Sequence, residues 1–152
     1  MYKKILVPLD GSPASQSGLT EALLLAKQNK SSVRLLHVVG LFIGTPALAG
    51  VGYVEDIPKA LQRSGEKILK NAEALARRHR IAVETAMLDT LGGRPADVIV
   101  AQAKKWRADL IVIGTHGRRG LSRLALGSEA ETVVRASPVP VLVVRPRKMS
   151  RT

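Results

Sequence analysis

Cysteine is absent from the 152 residues of the chain. Disulfide bonds, thiolate zinc sites and cysteine nucleophiles are therefore excluded. Long hydrophobic runs are missing as well: the N-terminal run at residues 5–9 ends directly at Asp10. The sequence thus predicts neither a signal peptide nor a membrane span, and together these absences favour a cytoplasmic protein.

Aromatic residues are scarce, with one Trp, two Tyr and one Phe. Proteins that bind single-stranded nucleic acid stack bases on aromatic or arginine side chains, so this class loses support. Positive charge is abundant, because 24 Lys and Arg face 12 Asp and Glu, and residues 104–152 hold 11 of the former against 3 of the latter. A basic C-terminal third indicates an anionic partner such as a nucleotide, a nucleic acid or a lipid headgroup. The alternative is a solvated face with a basic tail at residues 147–152.

Short apolar runs alternate with amphipathic segments along the chain. Five runs rich in Val, Ile and Leu are typical of buried strands, at residues 3–9, 32–39, 82–89, 109–114 and 139–144. Helices are predicted from Pro13, over residues 55–80, from Pro95 and from near Ser128, because proline suits the first helical position and apolar residues then recur at helical spacing. Strands alternating with helices predict one α/β domain, residues 1–146, with a mostly parallel sheet covered on both faces.

The loop at residues 40–54 is the one irregular insertion in this pattern. Loops of this length often serve as lids or binding segments, and the alternative is a mobile surface loop.

The stretch GTHGRRGLSRLALGSEAET, residues 114–132, joins glycine to positive charge directly after the fourth apolar run. Gly114, Gly117 and the pair Gly127-Ser128 form the pattern G-x2-G-x9-G-[S/T]. Helix N-termini bind anions through free N–H groups, and glycine lets the backbone approach a phosphate closely. The stretch therefore predicts an anion site between a strand and a helix, the alternative being a flexible solvated loop. Neither the Walker loop nor the G-x-G-x-x-G fingerprint occurs.

With this pattern the sequence resembles the universal stress protein family in its ATP-binding form. The resemblance is carried by KKILVPLDGS at the start, LLHVV at 35–39, GGRPADVIV at 92–100, ADLIVIGTHGRRGLSRLALGS at 108–128 and VPVLVV at 139–144. It implies a doubly wound, Rossmann-like fold whose five parallel strands have the order 3-2-1-4-5. Strands one and four would then be neighbours, and ligands bind such sheets where the strand order reverses, outside the carboxyl ends of the strands.

The resemblance also implies which residues contact the ligand. Pro8, Leu9 and Asp10 would line the adenosine, with the Asp10 carboxylate accepting a hydrogen bond from ribose or adenine. Val38 would meet the adenine edge through its backbone, and Ile113 would pack on the nucleoside. The phosphates of ATP would be held by the two ends of the glycine stretch: Gly114, His116, Gly117, Arg118, Gly127, Ser128, Glu129 and Ala130. Mg²⁺ is a candidate companion of these phosphates, although no acidic cluster identifies its ligands.

Several of these residues also have a purely structural interpretation. Asp10 suits the cap of the first helix, and His37, inside an apolar strand, is more typical of a packed core histidine than of a ligand or base. Ser128 suits the roles of helix cap and phosphate donor together.

The sequence leaves the roles of three charged residues near the predicted phosphate site undecided. Arg119 and Arg123 are either phosphate contacts or solvated charge. Glu129 departs from the family, which often carries an apolar residue there. A carboxylate at a helix start suits the helix dipole, but it repels a triphosphate unless it points away or meets a metal.

The last apolar run, 139–144, is a candidate edge strand, and the resemblance implies that the same strand of a second subunit covers it in a homodimer. The favoured function is an ATP-binding regulatory or interaction module of the stress response, with no catalytic residue and no protein-built metal site. One alternative is a slow ATPase or adenylate-transfer enzyme, whose turnover with Mg²⁺ would be lost in Asp10→Ala or His116→Ala. The other is a binder of nucleic acid or anionic surfaces, whose affinity would fall steeply with salt.

Overall fold

Two layers of helices enclose a parallel sheet in the computed structural model, which describes residues 1–40, 57–90, 92–115 and 126–146. The elements of these residues are β1 (Lys4–Pro8), α1 (Pro13–Asn29), β2 (Ser32–Val39), α2 (Ile57–Arg78), β3 (Val83–Asp89), α3 (Pro95–Trp106), β4 (Leu110–Gly114), α4 (Ser128–Ala136) and β5 (Val141–Val144). All strands are parallel, in the order β3-β2-β1-β4-β5. The predicted fold class and strand order are confirmed. Residues 41–54 of the predicted loop, residues 55 and 56 of the predicted second helix and the tail at 147–152 lie outside the described residues.

Each face of the sheet has its own apolar core because successive strand residues point to opposite faces. On one face Ile5 and Val7 of β1 pack with α1 and α2. On the other face Leu6, Ile111 and Ile113 pack with α3 and α4. The last four residues of β1 and all of β4 are buried, as expected for the strands at the centre of a doubly covered sheet. The carboxyl ends of these two strands therefore lie side by side.

Two helices begin as the sequence predicts. The Ser12 hydroxyl accepts a hydrogen bond from the amide of Ser15 at 3.2 Å, and Pro13 occupies the first turn of α1. Proline at this position loses nothing, since its missing N–H has no partner inside a helix. Pro95 begins α3 in the same way, and Asp97 supplies a negative charge to its first turn.

Three helices end with a basic residue in the left-handed conformation. Lys30, Arg80 and Arg107 follow α1, α2 and α3 with φ of 53°, 60° and 57°. Glycine is the usual residue here, because a side chain in this conformation costs about 1–2 kcal/mol. A cation near a helix C-terminus recovers about 0.3–1 kcal/mol from the helix dipole. The chain thus accepts strain at three helix ends in order to place positive charge there.

The last strand is shorter and less buried than predicted. β5 starts at Val141 and not at residue 139, because Pro138 and Pro140 lack the amide that a ladder needs. Its residues are half-buried or exposed, with 36% of Leu142 accessible, so the expectation of burial on both faces is wrong for the single chain. The reason is its place at the edge, where β4 is its only partner among the described strands. No helix in the described ranges is both long and apolar enough to cross a membrane.

Candidate functional site

A crevice forms where the chain order of the sheet reverses. β1 leads into α1 on one face, whereas the element that follows its neighbour β4 along the chain is α4, which packs on the other face. The segments that leave the two strands therefore part toward opposite sides of the sheet. Doubly wound folds bind their ligands in the gap that this divergence leaves.

The end of β1 is fixed by a tight turn. The amide of Leu9 donates to the carbonyl of Leu36 at 2.8 Å and closes the ladder with β2. Asp10 then accepts the amide of Ser12 on Oδ1 at 2.8 Å, and Gly11 between them has φ of 81°, which glycine adopts without strain. The interpretation of Asp10 as the cap of α1 is therefore wrong, because Ser12 is the cap and Asp10 holds the turn before it. Asp10 stands half-buried at the crevice.

The end of β2 forms the neighbouring wall. The buried His37 ring places Nδ1 2.7 Å from the carbonyl oxygen of Leu9, across the β1–β2 boundary. The interpretation of His37 as a packed core histidine is confirmed by this burial. The carbonyl of Leu36 faces β1. Alternate residues of a strand direct their backbone groups to the same side. The carbonyl of Val38 therefore also faces the β1 side, toward the space beyond Leu9.

The end of β4 is packed tightly against α1. A Cβ on Gly114 would lie 2.5 Å from the carbonyl carbon of Ala14 and 2.7 Å from its oxygen. Close helix–strand packing alone therefore requires glycine at this position. Ile113, which is 7% exposed, belongs to the core under α3 and α4.

Thr115 joins β4 to both of its neighbours. Its amide donates to the carbonyl of Val144 at 2.9 Å, and its carbonyl accepts the amide of Gly127 at 2.6 Å. The side chain is 7% exposed, yet its Oγ1 has no hydrogen-bond partner among the residues that the structure describes. Since strand residues alternate between faces, Thr115 continues the face of Ile111 and Ile113, the side on which α4 packs. Thr115 was not among the predicted site residues, although the alternation of strand residues between the two faces could have identified it.

The start of α4 lacks a side-chain cap. Gly127 occupies the cap position, and its carbonyl accepts the amide of Glu131 at 2.9 Å. Ser128 is the first helical residue, so its predicted role as the cap is wrong: the bond from Gly127 to Thr115 sets the helix start one residue earlier. Ala130 is buried in the core. Because glycine has no side chain to accept them, the first amides of α4 receive no cap bond.

Glu129 points away from the start of its own helix. Its Oε2 accepts the amide of Ala96 in the first turn of α3 at 2.9 Å. A second bond, from Arg94 Nη2 to Thr132 Oγ1 at 3.1 Å, links the same two helices. The carboxylate thus serves the N-terminus of α3 and ties it to α4, an interaction that the sequence did not indicate.

The structure brings together the ends of β1, β2 and β4 with the start of α4, and with them the predicted Pro8, Leu9, Asp10, Val38, Ile113, Gly114, Gly127, Ser128, Glu129 and Ala130. The predicted His116, Gly117 and Arg118, with Arg119 and Arg123, lie outside the described residues. Within the described ranges, no three acidic or histidine side chains group as metal ligands. The amides and dipole of α4 suit an anion, and the apolar strand ends suit an uncharged ring.

Comparison with known proteins gives one consistent result. A model of the universal stress protein family matches residues 1–145. Universal stress protein MJ0531 of Methanocaldococcus jannaschii is 40% identical over 150 residues, covering 97% of this chain and 85% of that protein. The structure of universal stress protein UspA from Lactobacillus plantarum is similar with a TM-score of 0.80 and 30% identity, over 95% of this chain and 98% of that one. The universal stress protein from Archaeoglobus fulgidus in complex with dAMP has a TM-score of 0.65 and 27% identity, over 94% and 98% of the two chains.

Proposed function

Because the chain belongs to the universal stress protein family, we propose that it binds an adenine nucleotide, ATP, in the crevice between β1 and β4. The nucleotide makes the protein a regulatory or interaction module of the cytoplasmic stress response, with slow hydrolysis at most. The observation that carries this proposal is the start of α4, where Gly127 provides no side-chain cap for the first helical amides. Beside it lies the buried Thr115 hydroxyl, which has no hydrogen-bond partner among the described residues. Donors arranged in this way suit a phosphate.

The proposed contacts follow the geometry of the crevice. Pro8, Leu9 and the Val38 carbonyl form the adenosine wall, and Asp10 holds the ribose or the base. The amides of Ser128, Glu129 and Ala130 face the phosphates, with Gly127 giving close access. Ile113 and Gly114 form the floor. His116, Gly117 and Arg118 lie outside the described residues and are proposed as phosphate contacts because of the family resemblance alone.

Two findings support the binding of a nucleotide, and the first of them points to adenine. The similar Archaeoglobus fulgidus protein was solved with dAMP, at 27% identity over nearly the whole chain. The Glu129 carboxylate, which would repel phosphates at the start of α4, is held by the amide of Ala96. Mg²⁺ accompanies ATP in this proposal, held by the phosphates rather than by a protein-built site.

A thermal-shift experiment tests the proposal. Millimolar ATP at matched ionic strength should raise the Tm, since a ligand at 100 times its Kd adds about 2.7 kcal/mol to the folded state. That corresponds to roughly 5–10 °C for a chain of this size. Gly127→Val places a branched side chain where the phosphates approach and should abolish the shift. Gly18→Ala, a glycine change inside α1, is the matched control and should keep it.

No shift in the wild-type protein would refute nucleotide binding. Mass spectrometry of the freshly purified, denatured protein provides an independent test, because a tightly held adenine nucleotide travels with the protein.

We also propose a homodimer through the 139–144 strand. β5 offers the outer half of its backbone groups to a partner, and Leu142 and Val134 are exposed beside it, at 36% and 44%. Pairing with the same strand of a second subunit would satisfy these groups and cover the apolar side chains.

A further inference from the structure

A strongly basic surface lies at the end of the molecule opposite the crevice. In a parallel α/β sheet the strands begin, and the intervening helices end, at the same edge. We call this surface the basal face and define it by the exposed cations of the last helical turns and of the left-handed residues after them: Lys27, Lys30, Arg77, Arg78, Arg80, Lys104, Lys105 and Arg107.

The charge of the basal face exceeds what the helices need. Lys27, Arg77 and Lys104 already place a cation in the last turn of each helix, where it complements the dipole. Lys30 and Arg107 add further cations in a conformation that glycine would adopt with less strain, as does Arg80. Helix stability therefore does not account for the basic residues at these three positions.

Two acidic side chains described near this edge are bonded to residues outside the basal face. Asp109 accepts the backbone amides of Lys3 and Lys4 at 2.7 and 3.0 Å. Glu84 is bonded to Arg34, which lies over the Trp106 ring. These carboxylates stabilise the starts of the strands. They do not neutralise the cations of the basal face, whose positive charge is available to an external partner.

A concavity on the basal face could hold a phosphate. It measures about 360 Å³ and lies between the end of α2 and the start of β3. Its lining residues are Glu73, Arg77, Arg80, Ile81, Ala82 and Val83. Arginine recognises phosphate through paired N–H donors, and two arginines border this space against one carboxylate.

We propose that the basal face binds the phosphate backbone of duplex nucleic acid without reading its sequence. The cations lie on both sides of the sheet, because α1 and α2 end on one side and α3 on the other. The two helix layers are on the order of 20 Å apart. Lysine and arginine side chains are long, so cations on the two layers can contact both strands across a groove about 12 Å wide.

Other polyanions fit the basal face less well. A single strand needs exposed stacking surfaces, and Trp106 at this edge is 9% exposed. A membrane surface site adds apolar side chains that insert beside the cations. Among the described residues of this edge, only Met1 and Tyr2 are large apolar side chains that are exposed. Two such side chains are fewer than a membrane-binding surface uses, so a membrane fits the basal face less well than a duplex.

Fluorescence anisotropy with a labelled 20-base-pair duplex tests the proposal over a range of salt concentrations. Contact with five or six phosphates predicts a slope of log K against log salt of about −5. The triple variant Lys30→Gly, Arg80→Gly, Arg107→Gly should bring the slope to about −2 and weaken binding at least tenfold at about 0.1 M salt. Its Tm should not fall, since glycine suits the left-handed conformation.

The matched control is Lys59→Gln, Arg63→Gln, Lys67→Gln, which removes the same charge from exposed positions nearer the other end of α2. It should keep the wild-type slope. Equal loss in both triple variants, an unchanged slope in both, or no duplex binding by the wild-type protein would overturn the proposal. Binding to phosphatidylserine vesicles in place of the duplex would overturn it too.

Two further measurements locate and define the interaction. A duplex of unrelated sequence should bind with the same affinity, and a tenfold preference would contradict backbone recognition. Saturating ATP should leave duplex affinity unchanged, because the crevice is at the opposite end. Competition by ATP would place the duplex in the crevice instead.

Discussion

The Thr115 hydroxyl is a buried polar group that the described part of the fold leaves without a hydrogen bond. It is 7% exposed, lies beside the uncapped start of α4 and has no partner within the described ranges. Leaving such a group unsatisfied costs about 1–3 kcal/mol. A phosphate oxygen at the start of α4 would accept this hydroxyl together with the helix amides. The cost in the free protein and the proposed binding site thus have one explanation.

Thr115→Val tests that explanation through two effects of opposite sign. Valine matches threonine in shape without the hydroxyl, so the ligand-free protein should become more stable by about 1 kcal/mol. Affinity for ATP should fall about ten- to a hundredfold, since a hydrogen bond to a charged group contributes about 1.5–3 kcal/mol. Urea unfolding followed by the fluorescence of Trp106, the single tryptophan, measures both when run with and without nucleotide.

Thr115→Ser keeps the hydroxyl and is the matched control for this prediction. It should retain ATP affinity, although it loses a buried methyl group. A loss of stability in Thr115→Val would show that the hydroxyl already has a partner, and unchanged ATP affinity would remove it from the site.

Glu129 shows what the sequence could and could not predict at single residues. Its place in the first turn of α4 followed from the glycine pattern and the residues around it. Its contact did not, because the amide of Ala96 belongs to another helix 33 residues away and is brought near only by the packing of α3 on α4. The same holds for Gly114, which the sequence assigned to phosphate approach and which the structure shows to be required by Ala14.

The contact between α1 and β4 is set by two glycines with different tolerances. A Cβ on Gly114 would lie 2.5 Å from the Ala14 backbone, which cannot move without displacing α1. A Cβ on Gly18 would meet the amide nitrogen of Gly114 at 3.4 Å, an ordinary contact. The packing between α1 and β4 therefore leaves no space for a Cβ at Gly114. One turn further along α1, at Gly18, a Cβ fits.

Opposite effects on stability are expected from the same substitution at these two positions. Gly114→Ala should lower the free energy of unfolding by about 2 kcal/mol or more, since overpacking forces backbone shifts. Gly18→Ala should raise it by up to about 1 kcal/mol, because alanine favours the helix. Denaturant unfolding of the two variants measures both. Similar losses in the two would mean that α1 packs less closely on β4 than described.

Element positions were predictable where local chemistry decides them. The predicted β2 run, 32–39, agrees with Ser32–Val39, and Pro13 and Pro95 begin their helices as expected. β5 was predicted two residues too long. The prediction extended the strand to Val139 because this residue is apolar, and it gave too little weight to the prolines on either side. Strand order came from the family resemblance, since apolar runs alone do not specify which strands are neighbours.

At the scale of the whole molecule, the two ends of the sheet have different chemistry. At the carboxyl ends of the strands, the start of α4 offers amides to an anion. At the other end, the helices present the negative ends of their dipoles. Cations that include Lys30 and Arg107 more than neutralise this negative charge. Parallel strands make this separation possible, because every helix runs in the same direction between the two ends. A nucleotide and a second anionic partner can therefore bind without sharing a surface.

The proposed dimer depends on the outer edge of β5, and one backbone amide tests it. Pro140 and Val144 direct their carbonyls to β4, so Val143, which alternates with them, directs its amide outward. Val143→Pro removes this donor and puts the proline ring in the path of a pairing strand, while the ladder with β4 keeps its bonds.

Light scattering of the Val143→Pro variant at micromolar concentration should give a mass near the 16.3 kDa of one chain rather than about twice that value. Val143→Ala, which loses side-chain volume but keeps the amide, should stay dimeric. A dimeric Val143→Pro variant would place the subunit interface elsewhere, and a monomeric wild-type protein would exclude the dimer.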